Sequence, residues 1–373
     1  MAQMHIGNVI LESPVCLAPM AGIADLPFRL LCRELGGVGM AGSELLNARA
    51  IVQGRAAICK KALPPPEDSL LSVQIYGSVD DPLPEAAAWA VERGAKIIDI
   101  NMGCPVDKVC KKNGGSLLLK TPGKTATLAK QIVEATAGVP VTAKIRLGWE
   151  EDELTAPELA KRLEDAGIKA ITVHGRTTRQ MFRGSANLDG IAKVVEAVSI
   201  PVIGNGDINS PESAQRMFDH TGCDAVMIGR HAMKVPWIFD DITKHLHNEP
   251  ITFRGRNDKI KIILRHLELI LEHRGERAAL HCMTNRIALY GKTLGHIKPL
   301  KERVRLAKSA DEIREALESW LMPATSECGD SGVRGLATRN NFGHAEDRQE
   351  HGNCNAANNG AHHEDHDWFD HRP

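Results

Sequence analysis

The stretch NMGCPVDKVCKKNGG, residues 101–115, sets Cys104 and a proline directly after the apolar run AKIIDI. Structural cysteines ordinarily sit inside apolar runs, where they act as small hydrophobes. Cys104 sits just beyond one, with Lys108, Lys111 and Lys112 close behind it in sequence, and that placement asks for a chemical explanation. Cys110 and the other cysteines have no such placement and read as structural. A metal role for Cys104 with Cys110 lacks any further ligand set. Lys144, between Ala143 and Ile145, and His174, at the end of AITVH, are further titratable groups set at the ends of β-like runs. A lysine there is ordinarily a surface residue and a histidine ordinarily a structural one. GNGD (204–207) and IGR (228–230) bring glycines and Arg230 to two more run ends, a pattern suited to backbone contact with a phosphate.

What could hold these groups together is a repeated unit. Eight short β-rich runs occur at 15–20, 37–43, 70–77, 96–102, 140–147, 170–175, 201–206 and 225–230. Helix-like stretches separate most of them: PEAAAWAVERG and APELAKRLEDAG end at glycines, and SPESAQRMFDHTG opens with serine at the N-cap and proline after it. Near-continuous apolar strands alternating with helices predict a parallel sheet covered on both faces. Eight units over this length predict a (β/α)8 TIM barrel. An open doubly wound sheet would carry an early G-x-G-x-x-G turn, which is absent after the first run. A barrel's active site lies at the C-terminal strand ends. Those ends carry Gln74, Asn101, Cys104, Lys144, Arg146, His174, Arg176, Asn205, Asp207 and Arg230. Lys144 and His174, on adjacent strands facing one mouth, suit a flavin, because positive charge near its N1–C2 carbonyl stabilises the anionic reduced ring. Gln74 can donate and accept at the ring's pyrimidine edge.

The remaining sequence bounds the protein class. The opening residues have no basic start followed by an apolar h-region, and no run is long enough to span a bilayer, so a cytoplasmic protein is expected. Nine cysteines without C-x-x-C spacing argue against a disulfide framework and a zinc or iron–sulfur site, so no metal is expected. After Trp237 the pattern becomes helical, and residues 250–322 read as a small all-α domain following the barrel at 1–245. Residues 251–320 hold fifteen basic and nine acidic side chains, an excess that suits a surface for phosphates. Residues 323–373 are rich in Gly, Asn, His and Asp and poor in apolar residues, so a disordered tail is expected. Its histidines read as solvated rather than metal-binding.

Taken together, APMAGIADLPFR, NMGCPVDKV, AKIRLGW, HGRTTRQMFRG, GNGDI and DAVMIGRHAM…PWIF resemble the tRNA-dihydrouridine synthases, most closely the bacterial B-type. The resemblance runs over residues 10–320. It implies an FMN-dependent reduction of the C5–C6 double bond of tRNA uridines with NADPH, or NADH, as reductant. It further implies hydride transfer from flavin N5 to C6 and proton donation at C5 by Cys104. Pro19, Met20, Ala21, Gln74, Lys144 and His174 would contact FMN, and Asn205, Gly206, Asp207, Gly229 and Arg230 would complete the flavin and phosphate site. Asn101 and Arg176 would face the substrate. The partner would be tRNA, gripped by the basic helical domain; no membrane and no obligate protein partner are inferred, and a monomer is expected.

The chain departs from the family pattern at Ala24, at Ala186–Asn187–Leu188, at His231, at the Gly114–Gly115 pair and at Thr284–Asn285–Arg286, where the family carries an Arg-Lys-His patch. None removes a group that the resemblance assigns to catalysis or FMN. They bear instead on which uridine is modified and on how the helical domain binds. The rival readings are an FMN barrel acting on a free pyrimidine, like dihydroorotate or dihydropyrimidine dehydrogenases, and a non-catalytic RNA-binding barrel. The basic helical domain disfavours the first, and the joint presence of Cys104, Lys144 and His174 disfavours the second.

Overall fold

The computed structural model describes residues 3–55, 58–59, 65, 67–110 and 114–322, without the side chains of Asp107 and Lys108. The predicted tail at 323–373 lies outside the described residues, as do Lys111 and Lys112.

The chain opens with an antiparallel hairpin, β1 (Met4–Ile6) and β2 (Val9–Leu11), which sequence reading did not identify. Eight parallel strands then follow the eight predicted runs: β3 (Val15–Leu17), β4 (Met40–Gly42), β6 (Leu71–Tyr76), β7 (Ile97–Met102), β8 (Val141–Arg146), β9 (Ala170–His174), β10 (Val202–Asn205) and β11 (Ala225–Ile228). A two-residue strand, β5 (Leu46–Asn47), extends the sheet beside β6. The order runs β4-β3-β11-β10-β9-β8-β7-β6, and pairing of Ala41 with Leu71 joins β4 to β6 and closes the barrel.

The helices of the barrel are α1 (Leu26–Leu35), α2 (Ala48–Val52), α3 (Leu83–Val91), α4 (Pro122–Ala135), α5 (Ala156–Asp165), α6 (Leu188–Ala197), α7 (Pro211–Thr221) and α8 (Ile238–Leu246). Their starts follow the predicted chemistry. Ser210 accepts from the Ser213 amide at 3.2 Å with Pro211 at the first helical position, and Gly222 ends α7 in the left-handed region at φ 68°.

Strand periodicity divides the core in two. Val15, Leu17, Val73, Ile75, Ile98, Ile100, Ala143, Ile145, Ile171 and Val173 point outward and pack under the helices. Their alternate neighbours Cys16, Ile97, Ala170, Ile203, Ala225 and Met227 belong to a separate cluster with Met4, Ile6 and Leu11 of the hairpin. Ile97, Ala170 and Ala225 open their strands, so the hairpin plugs the N-terminal end of the barrel. Two residues further along the same inward rows come Asp99, Thr172 and Asn205, and then Asn101 and His174.

Four helices follow: α9 (Arg256–Arg274), α10 (Glu276–Tyr290), α11 (Lys298–Leu306) and α12 (Ala310–Glu318). Ile260, Ile263, Leu267 and Ile270 of α9 build a core with Met283, Ile287, Leu300 and Ile313. The sequence predicts an α9 that is apolar on one side and basic on the other. In the structure Ile262 and Leu269 bury a second side of the same helix in the barrel's outer layer. Two apolar stripes about a third of a turn apart, rather than one, are what a helix sandwiched between two layers needs.

Candidate active site

The inward positions near the strand ends carry polar side chains, and they meet at the C-terminal mouth. Lys144 of β8 donates from Nζ to Asn205 Oδ1 of β10 at 2.9 Å, and Asn205 Nδ2 donates to the Met227 carbonyl at 2.7 Å. Burial, reinforced by the Arg146 guanidinium, brings Lys144 down from an ordinary 10.5 to about 8. His174 is 9 % exposed; burial first, then Arg146 and Lys144, hold its imidazole well below the usual range, so it is neutral at physiological pH.

A chain of hydrogen bonds rises from the barrel interior to Cys104. Thr142 Oγ1 donates to Asp99 Oδ1 at 2.7 Å, Gln74 Nε2 to Asp99 Oδ2 at 2.5 Å, and Asn101 Nδ2 to Gln74 Oε1 at 2.8 Å. Asn101 Oδ1 then accepts from the Cys104 amide at 3.0 Å. Gln74 is fully buried with both ends of its amide engaged. Burial raises Asp99 above the usual carboxylate range against the pull of these hydrogen bonds. On the other side Arg146 Nε donates to the Gly103 carbonyl at 2.8 Å, and its Nη1 donates to the carbonyls of Thr177 and Met181, each at 2.8 Å. The loop bearing Cys104 is therefore held from both strands that flank it.

Burial also pushes the Cys104 thiol up, against the pull of the Val106 amide and of Arg146 and Lys144, so it stays protonated at neutral pH. Among the described residues, the cations acting on it, Arg146 and Lys144, come from inside the barrel. Of the lysines expected near it, Lys111 and Lys112 lie outside the described residues and so does the side chain of Lys108. Cys110 faces the same turn, donating from Sγ to the Cys104 carbonyl at 3.5 Å.

At the ends of β9, β10 and β11 the groups form a second cluster. Asp207 accepts from Arg176 Nη2 at 2.7 Å, from the Ala186 amide at 2.8 Å and from Arg230 Nη2 at 3.2 Å. Burial would raise its carboxyl, but these partners hold it below the usual range. Arg176 is 2 % exposed and also donates to the carbonyls of Arg183 and Gly184, which makes it a brace for the loop after β9. Its Nη1 is buried without a partner among the described residues. Phe182, which sequence reasoning missed, lies 4.8 Å from the Arg230 guanidinium and 5.5 Å from that of Arg146, measured to the ring centre, with the His174 ring at 6.2 Å. Gly206 has φ 130°, and a Cβ there would stand 2.8 Å from that of Ala186. At Gly229 the nearest atoms to such a Cβ are Ala18 Cβ at 3.6 Å and Met20 Sδ at 3.8 Å, which leaves the backbone open to approach. Pro19, Met20 and Ala21 complete the rim after β3, partly buried or exposed.

The donor set fits a flavin: a buried cation in the barrel suits the ring, and beyond it glycine backbone, Arg230 and an unsatisfied guanidinium donor suit a phosphate. Among the described residues no cluster of three metal-ligating side chains occurs and no helix is long and apolar enough to cross a membrane.

The family model described as Dihydrouridine synthase (Dus) matches residues 16–325. The chain is 40% identical over 318 residues to a protein named tRNA-dihydrouridine synthase B from Vibrio parahaemolyticus, covering 85% of this chain and 98% of that one. It is 39% identical over 312 residues to the protein of the same name from Pseudomonas aeruginosa, covering 83% and 93%. Histamine dehydrogenase from Rhizobium sp. 4-9 shares the fold with a TM-score of 0.50 at 14% identity, over 70% of this chain and 50% of that one. With the motifs of the mouth carried on a closed barrel, the chain belongs to the dihydrouridine synthase family and is a flavin-dependent oxidoreductase.

Proposed function

We propose that this enzyme reduces the C5–C6 double bond of selected uridines in tRNA, using FMN as its bound cofactor and NADPH, or NADH, as the electron source. The observation that carries this reading is Cys104: a protonated thiol, held by Asn101 on one side and Arg146 on the other, at the mouth that holds Lys144. The relatives named tRNA-dihydrouridine synthase B support the substrate class.

Bound at this mouth, FMN supplies the hydride that arrives at uridine C6. Cys104 Sγ gives its proton to C5, and its high pKa keeps that proton in place until the base is seated. Lys144, oriented by Asn205, opposes negative charge in the ring of the cofactor, while the neutral His174 serves as a hydrogen-bond partner only. Pro19, Met20 and Ala21 form the edge of the flavin seat. Gly206, Gly229 and Arg230 hold its phosphate end, and the Asp207 carboxylate fixes the Arg230 guanidinium there. Gln74 and Asn101 act by fixing the Cys104 loop. The target uridine must leave its stack to reach a mouth of this kind. In this reading residues 1–245 carry the chemistry and 250–322 grip tRNA phosphates, in a cytoplasmic monomer.

The test is incubation of an unmodified tRNA transcript with the enzyme, FMN and NADPH, followed by mass-spectrometric mapping of dihydrouridine. Dihydrouridine at defined positions is expected. Flavin-loaded protein that leaves tRNA unchanged but reduces a free pyrimidine would overturn the proposal.

A further inference from the structure

The loop from Ala18 to Asp25, between β3 and α1, carries Pro19, Met20 and Ala21 to the mouth. Its own bonds are few: the amides of Ile23 and Ala24 turn back to the Met20 carbonyl at 3.1 and 2.9 Å. The barrel adds three anchors: the Ala18 amide donates to the Ile228 carbonyl at 2.9 Å, Glu44 Oε1 accepts from the Gly22 amide at 2.7 Å, and Arg29 Nη1 donates to the Ala24 carbonyl at 2.7 Å. Two more come from far along the chain. Arg286 of α10 donates from Nη2 to the Ile23 carbonyl at 2.6 Å, and Arg274 at the end of α9 pairs with Asp25, which also caps α1 through the Phe28 amide.

Arg286 is 2 % exposed and pairs with no carboxylate among the described residues. Its guanidinium lies over the Phe28 ring at 4.6 Å. His266 also packs against that ring, at 5.7 Å between centroids, and is fixed by Tyr290 Oη at 2.9 Å. Arg286 Nη1 and His266 Nε2 have no partner among the described residues. Burying a guanidinium without a carboxylate is expensive, and a merely structural site of this size is filled as well or better by apolar residues. The bond that Arg286 does make is to the backbone of the loop.

We propose that Arg286 is a positioning residue for the Met20–Asp25 turn, so that the helices after the barrel set the seat of the flavin. The link to flavin rests on the assignment of Pro19–Ala21 proposed above; the positioning itself does not. Lys and Met separate the contributions, since Lys keeps a charged donor without the planar stack and Met keeps the apolar bulk alone.

The experiment compares Arg286→Met, Arg286→Lys and a control, Ile287→Ala, which weakens the same helical core without touching the loop. Each is read by amide hydrogen exchange without cofactor and by FMN titration. In Arg286→Met the amides of Gly22, Ile23 and Ala24 exchange faster while those of the α9 and α10 cores keep their protection. FMN binding weakens by about tenfold to a hundredfold, the range for losing a charged hydrogen bond. Arg286→Lys recovers part of both, and Ile287→Ala melts earlier with FMN affinity within about twofold of wild type, since its side chain belongs to the helical core. Unchanged exchange at 22–24 in Arg286→Met overturns the proposal, as does an equal loss of FMN affinity in Ile287→Ala. Faster exchange at 22–24 with unaltered FMN affinity upholds Arg286 as a positioning residue and instead removes Pro19–Ala21 from the flavin site.

Discussion

Lys144 is a cation whose charge the fold disfavours, and this gives it a pH signature. Its proton leaves near pH 8 in the folded protein and near 10.5 in the unfolded chain. Between those values the unfolded state binds the extra proton, so stability rises with pH across that window, and it loses this increment as pH falls through 8. The increment should vanish in Lys144→Met, which denaturant melts at pH 7.5 and 10 would reveal as a smaller pH dependence than in wild type. Activity should run the other way. Turnover falls as pH rises through about 8, because a neutral amine no longer opposes negative charge at the cofactor, and Lys144→Met lacks that limb of the profile. His174 adds no acid limb of its own near neutrality, since it is already neutral there. Some of this was legible in the sequence and some was not. Cys104, Lys144 and His174 stand out because each interrupts or ends an apolar run. Asp99 does not, because one carboxylate inside IIDI reads as an ordinary strand irregularity until the barrel brings Gln74 and Thr142 to it.

Strand parity is what delivers the site. A period of two sends Asp99 and Asn101 inward while Ile98 and Ile100 face the helices, and the same parity holds on β8, β9 and β10. The eight runs were readable because buried parallel strands are apolar on both faces. The hairpin at 4–11 was not, since two three-residue strands carry too little periodicity to register. The strand ends bring Gln74, Asn101 and Arg176 to the mouth, yet Gln74 and Asn101 bond to one another and to Asp99 and the Cys104 amide, and Arg176 braces Asp207. Only the neighbouring strands, which sequence spacing does not specify, reveal that. The elements also meet closely at β4. A Cβ at Gly42 would stand 2.8 Å from the Pro19 nitrogen. Gly42→Ala should therefore displace the loop after β3 and cost about 1–3 kcal/mol of stability, with weaker FMN binding, as thermal melts and flavin titration would show.

At the scale of the whole molecule, α9 joins two layers that the sequence reading treated as separate domains. Its Ile262 and Leu269 enter the barrel's outer layer, while Ile260, Ile263, Leu267 and Ile270 build the helical core. The basic excess of the helical segment was legible from composition, but its distribution was not: Arg265 pairs with Glu34 of α1 and Arg305 with Glu302, whereas Lys298 and Lys301 are exposed. If this surface grips RNA, tRNA affinity falls steeply with salt. Replacing Lys298 and Lys301 by Gln should then lower the slope of log affinity against log salt by roughly one per lysine that meets a phosphate, with the FMN affinity unchanged.

Reduction of the uridine requires an acid at C5, and Cys104 is the group proposed for it. Its most direct test is the single-turnover rate of dihydrouridine formation by enzyme reduced in advance, for wild type and Cys104→Ala on the same unmodified tRNA. The account predicts that the variant binds FMN and tRNA as wild type does and forms product about 10²- to 10⁴-fold more slowly. Equal rates in the two proteins would contradict it.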